Sequence, residues 1–318
     1  MAQQSGRIAV VCGVVVVLLA AGGIVVRQVA RSDDQVSAGK IVSLTPSPSA
    51  SPSPSATPTR LPTYVPPSTK PSSPTSTITA KTLATENRAV QRNPLYSVGA
   101  LPASHCKEPS SRPTSLANVR KYYTDFLTCL NKVWAPIVQK AGFTFWAPRL
   151  EVFTGPTRPG CGVTDSAAYC SEGVISMSAD FDLKNYRNQE KLWTRTTMAH
   201  LVAHEYGHHI QRLVGISAAS AARSATLTGD AALAESRRIE LQASCFSGAY
   251  LGADRSYFPV SGSWMARWTW TIRNRGDEWN PTRSHGKASN HSRWTRRGFD
   301  AAAPSACNTF TASAASIA

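Results

Sequence analysis

His204-Glu205-Tyr206-Gly207-His208 is the stretch whose reading decides the fold of this 318-residue chain. Four residues advance an α-helix by slightly more than one turn, so two histidines at that spacing lean toward one point beside the helix, while Glu205 is rotated by roughly a quarter turn from His204. A His-Glu-x-x-His helix is half of a zinc site with its own general base. The imidazoles ligate. The glutamate stays off the metal, takes a proton from a water made acidic by the cation, and delivers it to a leaving amine. Leu192 to Leu213 contains no proline, sets Met198, Val202, Tyr206 and Leu213 on one flank, and is followed by Gly215. The spacing predicts a helix over 192–213 with its histidine face partly buried. His200 lies a turn before His204 and His209 is rotated about 100° from His208, which suits supporting or packing roles.

A catalytic zinc needs a third protein ligand and an open fourth position. The third-histidine arrangement, with Gly three residues after the second His and a His three further on, is absent, since Gln211 and Val214 stand there. A carboxylate from another helix is the remaining common solution. Residues 230–250 read as such a helix and offer Glu235 and Glu240, which five residues of separation turn about 140° apart. Glu240, flanked by Ile239, Leu241 and Ala243, is the expected ligand, because an unpaired carboxylate is costly to bury there. Glu235, with Arg238 three residues on, suits a solvated face.

His204 to Gln211, the run Glu240-Leu-Gln-Ala-Ser-Cys245-Phe-Ser-Gly, and the tail Ser284-His285-Gly286 … Arg293-Trp294 … Gly298-Phe299 … Cys307-Asn-Thr-Phe310 resemble the bacterial putative neutral zinc metallopeptidases, a small gluzincin-like group. The likeness continues upstream through Val152-Phe153-Thr-Gly155 and Gly160-Cys161-Gly162 to Tyr169-Cys170, so it spans roughly 115–310. It implies an α+β, zincin-like domain with an active-site helix, a mixed sheet and a helical C-terminal part. Its implied site is one Zn2+ held by His204, His208 and Glu240, with Glu205 as base and a protein or peptide as substrate. It implies for His285 a contact to the transition state or substrate, such as a donor to the oxyanion. One position departs. The family carries Asp four residues after its ligand Glu, where this chain has Ser244, which can accept a hydrogen bond from a ligand histidine but brings no charge.

Seven cysteines are present, with Cys12 in an apolar N-terminal run and six beyond it, an even number that fits an oxidising, extracytoplasmic compartment. Cys161 and Cys170 bracket a short glycine-containing loop and are expected to pair locally. The resemblance implies Cys245 with Cys307, tying the Glu240 helix to the tail, and Cys106 with Cys129 are left as the third pair. With no Cys-x-x-Cys, a thiolate zinc site is disfavoured.

Residues 1–7 read as a short cytoplasmic leader. Ile8 to Val26 follow as an uncharged, almost wholly apolar segment, long enough for a bilayer core of about 30 Å and longer than the ~7 to 15 apolar residues of a signal peptide. One N-terminal transmembrane helix is therefore expected, making the chain a single-pass protein of the cell membrane with its C-terminal domain outside; secretion after cleavage is the alternative. Arg27 and Arg31 after the span weigh against this orientation, and the cysteines weigh for it. Residues 27–81, rich in Pro, Ser and Thr, read as an extended spacer, and 82–318 as one peptidase domain with a core near 115–310. A formal net charge of +15, concentrated where residues 60–150 hold twelve Lys/Arg against three acids, suits anionic cell-wall polymers or lipid headgroups. Nucleic acid is not an expected partner, because no binding motif accompanies the charge. Within the domain a helix is predicted over 117–141, broken or kinked at Pro136. Strands are predicted over 149–154 and 173–178; the resemblance to zincins implies that the latter, just before the metal-binding helix, lines the cleft and pairs with an extended substrate.

Overall fold

The structure is a computed structural model that describes residues 16–20, 23–27, 80–155, 157–158, 162–163, 166–170, 172–278 and 283–318. Its elements run β1 (Val16–Ala20), β2 (Gly23–Arg27), α1 (Ala80–Gln91), α2 (Leu116–Lys140), β3 (Arg149–Phe153), β4 (Thr157–Arg158), β5 (Gly162–Val163), β6 (Ala167–Cys170) and β7 (Val174–Ser178), then α3 (Ala179–Asn188), α4 (Lys191–Leu213), α5 (Ile216–Ser224), α6 (Gly229–Ala253), α7 (Gly262–Arg273), α8 (Ala288–Ala301) and α9 (Ala314–Ile317). The result is a helix-rich α+β fold around one small three-stranded sheet.

Helix α2 starts where Ser115 caps it, its side chain accepting from the Asn118 amide, and then buries Val119, Tyr122, Tyr123, Phe126, Leu130, Val133 and Ile137 at helical spacing. The expected break at Pro136 does not occur. Proline removes one backbone donor, a cost of about 3 kcal/mol in a helix interior, and a 25-residue helix with eleven buried side chains offsets it. The buried core reaches upstream of residue 115 as well, taking in Val90, Leu95, Val98 and Leu101.

The sheet has the order β3-β7-β6, with β3 parallel and β6 antiparallel to β7. The expectation that 173–178 pairs with substrate is therefore corrected: β7 is the central strand, hydrogen-bonded on both sides, and all five of its residues are buried. Ile175, Ser176, Met177 and Ser178 alternate apolar and polar as a half-exposed strand does, yet both serines are buried, so the pattern does not report the strand's neighbours.

The apolar run 8–26 is corrected where it is described. Val16–Ala20 and Gly23–Arg27 form an antiparallel pair, not a helix, as their β-branched residues allow. Among the described residues no helix is long and apolar enough to cross a membrane. The leader and nearly all of the Pro/Ser/Thr-rich spacer lie outside the described residues.

Three structural choices position the site. Gly215, with φ of 77°, turns the chain from α4 into α5. A β-carbon on Gly207 would lie 2.8 Å from the Ala243 carbonyl oxygen, so glycine in the middle of the His204–His208 pentad lets α4 and α6 meet backbone to backbone. The Cys245–Cys307 disulfide fastens α6 to the C-terminal tail, while Cys106–Cys129 fastens the loop before α2 to that helix.

Candidate metal centre and active site

His204 and His208 project from α4 toward Glu240 of α6. Their Nε2 atoms are 3.2 Å apart, and Glu240 Oε2 lies 3.2 Å from His204 Nε2 and 3.5 Å from His208 Nε2. A tetrahedral zinc with bonds of ~2.0 to 2.1 Å needs donors separated by about 3.3 to 3.4 Å, so the donor triangle has the size the metal requires. These three side chains form the cluster of potential metal ligands found among the described residues.

Each imidazole is held from behind. Gln211 Nε2 donates to the Ile239 carbonyl at 2.8 Å and to Gln242 Oε1 at 3.1 Å, so its oxygen faces His208 Nδ1, 2.9 Å away, and accepts from it. With the proton on Nδ1, the Nε2 lone pair is left for a cation. His204 Nδ1 lies 3.1 Å from Ser244 Oγ. Burial drives His204 down to about 3, keeping it neutral. Burial also pulls on His208, but the Glu240 carboxylate more than reverses it and raises His208 above its usual range. Glu240 itself stays ionised: burial pushes its carboxyl up, and His208, His285 and His204 together hold it well below the usual range.

Glu205 is buried beside this cluster, 7% exposed. Burial raises its carboxyl to about 6, with Glu240 pushing the same way and His208, Arg275 and His285 opposing. A carboxyl tuned toward neutrality is what proton shuttling at neutral pH calls for. Arg275 sets a guanidinium within the field of Glu205 and Glu240; burial lowers its pKa and the two carboxylates oppose that.

His285, between α7 and α8, comes to the same place, its Nε2 3.8 Å from Glu240 Oε2. Buried Asp277 aims it. One carboxylate oxygen accepts from the His285 amide at 2.8 Å and lies 3.3 Å from Nδ1, and the other accepts from the Gly286 amide at 2.9 Å. Burial works against a charged His285, but Glu240 and Asp277 raise its pKa.

The neighbouring histidines turn away. His209 Nε2 meets the Trp146 carbonyl at 2.8 Å and its Nδ1 meets the Tyr169 hydroxyl at 3.0 Å, tying α4 to β6. His200 Nδ1 lies 3.2 Å from Ser247 Oγ. Glu235 differs from expectation: it is buried at 3% exposure, and its carboxylate takes Arg223 Nε at 2.7 Å and Nη2 at 3.0 Å, not Arg238. Helix α5 folds over that face of α6 and brings its own arginine, whereas Arg238 turns to carbonyls of the tail. Cys170 is disulfide-bonded; Cys161, its expected partner, lies outside the described residues.

Four residues at the centre were not singled out as site residues by the sequence. Gln211 had a usable signal, three residues after His208 on the same helical face. Arg275, Asp277 and His291 arrive through tertiary contacts from elements with no local motif.

Residues 99–256 match the family described as "Putative neutral zinc metallopeptidase", a range that contains His204, Glu205, His208, Glu240 and Ser244. The uncharacterized protein YpfJ of Escherichia coli strain K12 is 28% identical over 210 residues, covering 60% of this chain and 71% of YpfJ. The uncharacterized protein Mb2605 of Mycobacterium bovis is 27% identical over 216 residues, covering 58% of this chain and 68% of that protein. No solved structure matches.

Proposed function

From the premise that this chain belongs to the putative neutral zinc metallopeptidase family, we propose that it hydrolyses peptide bonds in extracytoplasmic proteins or peptides, with one zinc held by His204, His208 and Glu240. The observation that carries this reading is the donor triangle of 3.2, 3.2 and 3.5 Å, with a buried, tuned carboxylate beside it. When bound, zinc supplies Lewis acidity, polarising a carbonyl and lowering the pKa of water toward ~7.

The chain's own residues do the rest. Glu205 removes the proton from the attacking water and returns it to the leaving amine, a role that contributes typically ~10^2 to 10^4-fold. His285, its Nδ1 side occupied by Asp277, presents Nε2 to the developing oxyanion. Extracytoplasmic placement is supported by the Cys106–Cys129 and Cys245–Cys307 disulfides; protection of the domain from protease added to intact cells would remove it.

The test expresses the full chain, measures bound zinc, and compares cleavage of an unbiased peptide library by the wild type and by Glu205→Gln. One zinc in both proteins, with cleavage lost in the variant by ~10^2-fold or more, is the expected outcome. A second reading, a zinc-binding module without efficient turnover, is favoured by Ser244 standing uncharged behind His204. Zinc in both proteins with no cleavage by either selects it.

A further inference from the structure

Ser244 has a second neighbour. Its Oγ lies 3.1 Å from His204 Nδ1 and 2.9 Å from His291 Nδ1, and His291 Nε2 lies 2.8 Å from the backbone carbonyl oxygen of His285. Ser244, His291 and His204 are all buried, at 0%, 1% and 3% exposure. The chain of contacts thus runs from a ligand histidine on α4, through α6, to α8, and ends on the loop that carries His285.

The direction of every proton in this chain is fixed at its far end. A carbonyl oxygen only accepts, so His291 Nε2 carries a hydrogen. Burial drives His291 down to about 3, so the ring is neutral and Nδ1 is an acceptor. The Ser244 hydroxyl therefore donates to His291. A hydroxyl has one hydrogen, so toward His204 it offers only a lone pair, and His204 Nδ1 must donate. The proton of His204 is then on Nδ1 and the Nε2 lone pair points at His208 and Glu240. Without His291 the hydroxyl is free to rotate and donate into His204 Nδ1, which favours the tautomer with Nε2–H and closes that position to a cation.

We propose that His291 is a positioning residue for the metal centre, fixing the ligand tautomer of His204 through Ser244 and coupling that ligand to the backbone of His285. The relay replaces, with two neutral side chains, the carboxylate that commonly holds a metal-bound histidine. It also lies beyond the residues that match the family, since His291 is outside 99–256. The inference rests on the metal-site reading above, and its test separates the two.

The experiment uses the full-length chain and zinc alone, with affinity measured by competition against a chromophoric chelator and folding checked by the melting temperature of the zinc-free protein. Four variants are compared with the wild type: His291→Ala, Ser244→Ala, the double variant, and Ser244→Asp combined with His291→Ala. Loss of a group that orients a metal-bound histidine costs ~10 to 100-fold in affinity. His291→Ala and Ser244→Ala are each expected to lose that much, and the double variant no more than either alone, because both cut one relay. Ser244→Asp is expected to restore tight binding in the His291→Ala background, since a carboxylate accepts from His204 Nδ1 directly. A merely structural His291 is not rescued by a substitution at position 244. Unchanged affinity in His291→Ala, additive losses, or no rescue by Ser244→Asp overturns the relay while leaving the zinc site standing. Absence of zinc binding by the wild type overturns both. If His291→Ala does not fold, Ser244→Ala, which deletes a single hydroxyl, decides alone: wild-type affinity overturns the relay.

Discussion

At the scale of single residues, the proposed metal centre is controlled by groups outside its ligand set. Gln211 is committed as a donor to Ile239 and Gln242, and that commitment makes it an acceptor toward His208. Gln211→Ala is expected to weaken zinc binding about 10-fold or more, while Gln211→Glu keeps an acceptor there and holds affinity closer to wild type; chelator competition separates the two. Away from the site, Asp182 is wholly buried, accepts from the Tyr123 hydroxyl at 2.7 Å, and is raised by burial to about 8. The sign follows from linkage. Between the ordinary carboxyl value near 4 and about 8 the folded protein keeps a proton that the unfolded chain has released, so this group's contribution falls as pH rises through that window. Asp182→Asn is expected to remove the loss and raise the unfolding midpoint at pH 8 more than at pH 5. Equal shifts at both values reject it.

Among the elements, α4 and α6 act as the jaws that set the donor triangle, and Gly207 sets their separation. Gly207→Ala places a β-carbon 2.8 Å from the Ala243 oxygen, so the helices must part by some tenths of an ångström. Two of the three proposed ligands sit on one jaw and the third on the other. The variant is expected to lose zinc affinity and to lower the melting temperature, an overpacking cost of typically ~1 to 3 kcal/mol; unchanged affinity rejects the jaw description. How far the sequence was legible differs by element. Helices α4 and α6 were readable within a few residues of their ends, because hydrophobic spacing and ligand spacing share the same period. Glu240 is separable from Glu235 by the angle between them together with its apolar flanks, but the burial of Glu235 is not legible, because its partner Arg223 comes from α5. Strand β7 is readable as a strand, but its central place between β3 and β6 is not, since its neighbours are decided by topology. The apolar run before residue 27 has length and hydrophobicity, which a pair of valine-rich strands shares with a spanning helix.

For the whole molecule, the buried imidazoles set the acid limit. His209 is lowered by burial to about 4 and His291 to about 3, and His200 falls well below its usual value for the same reason. Their folded pKa values are depressed, so their contribution is complete above about 6.5 and is lost as pH falls from there toward about 3 to 4, while the unfolded chain takes up protons that the folded one refuses. Zinc-free protein is expected to lose stability steeply below pH 6.5 in denaturant titrations; a flat profile between pH 7 and 5 contradicts this. The net charge of +15 was legible from composition but says nothing of these histidines, whose burial depends on α4, α6 and α8 meeting.

The Cys245–Cys307 bridge bears on the unfolded chain. It closes a loop of 62 residues, and that loop contains Asp277, His285 and His291. Such a cross-link removes chain entropy from the unfolded ensemble worth about 4 kcal/mol. His204, His208 and Glu240 all precede the loop. Reduction therefore releases two different parts of the centre unequally: the three ligand positions remain within 37 residues of one another along the chain, whereas His285 and His291 must find them across an untethered coil. A chain made in a reducing compartment is in effect a helix pair carrying the proposed ligands and searching for its own second half.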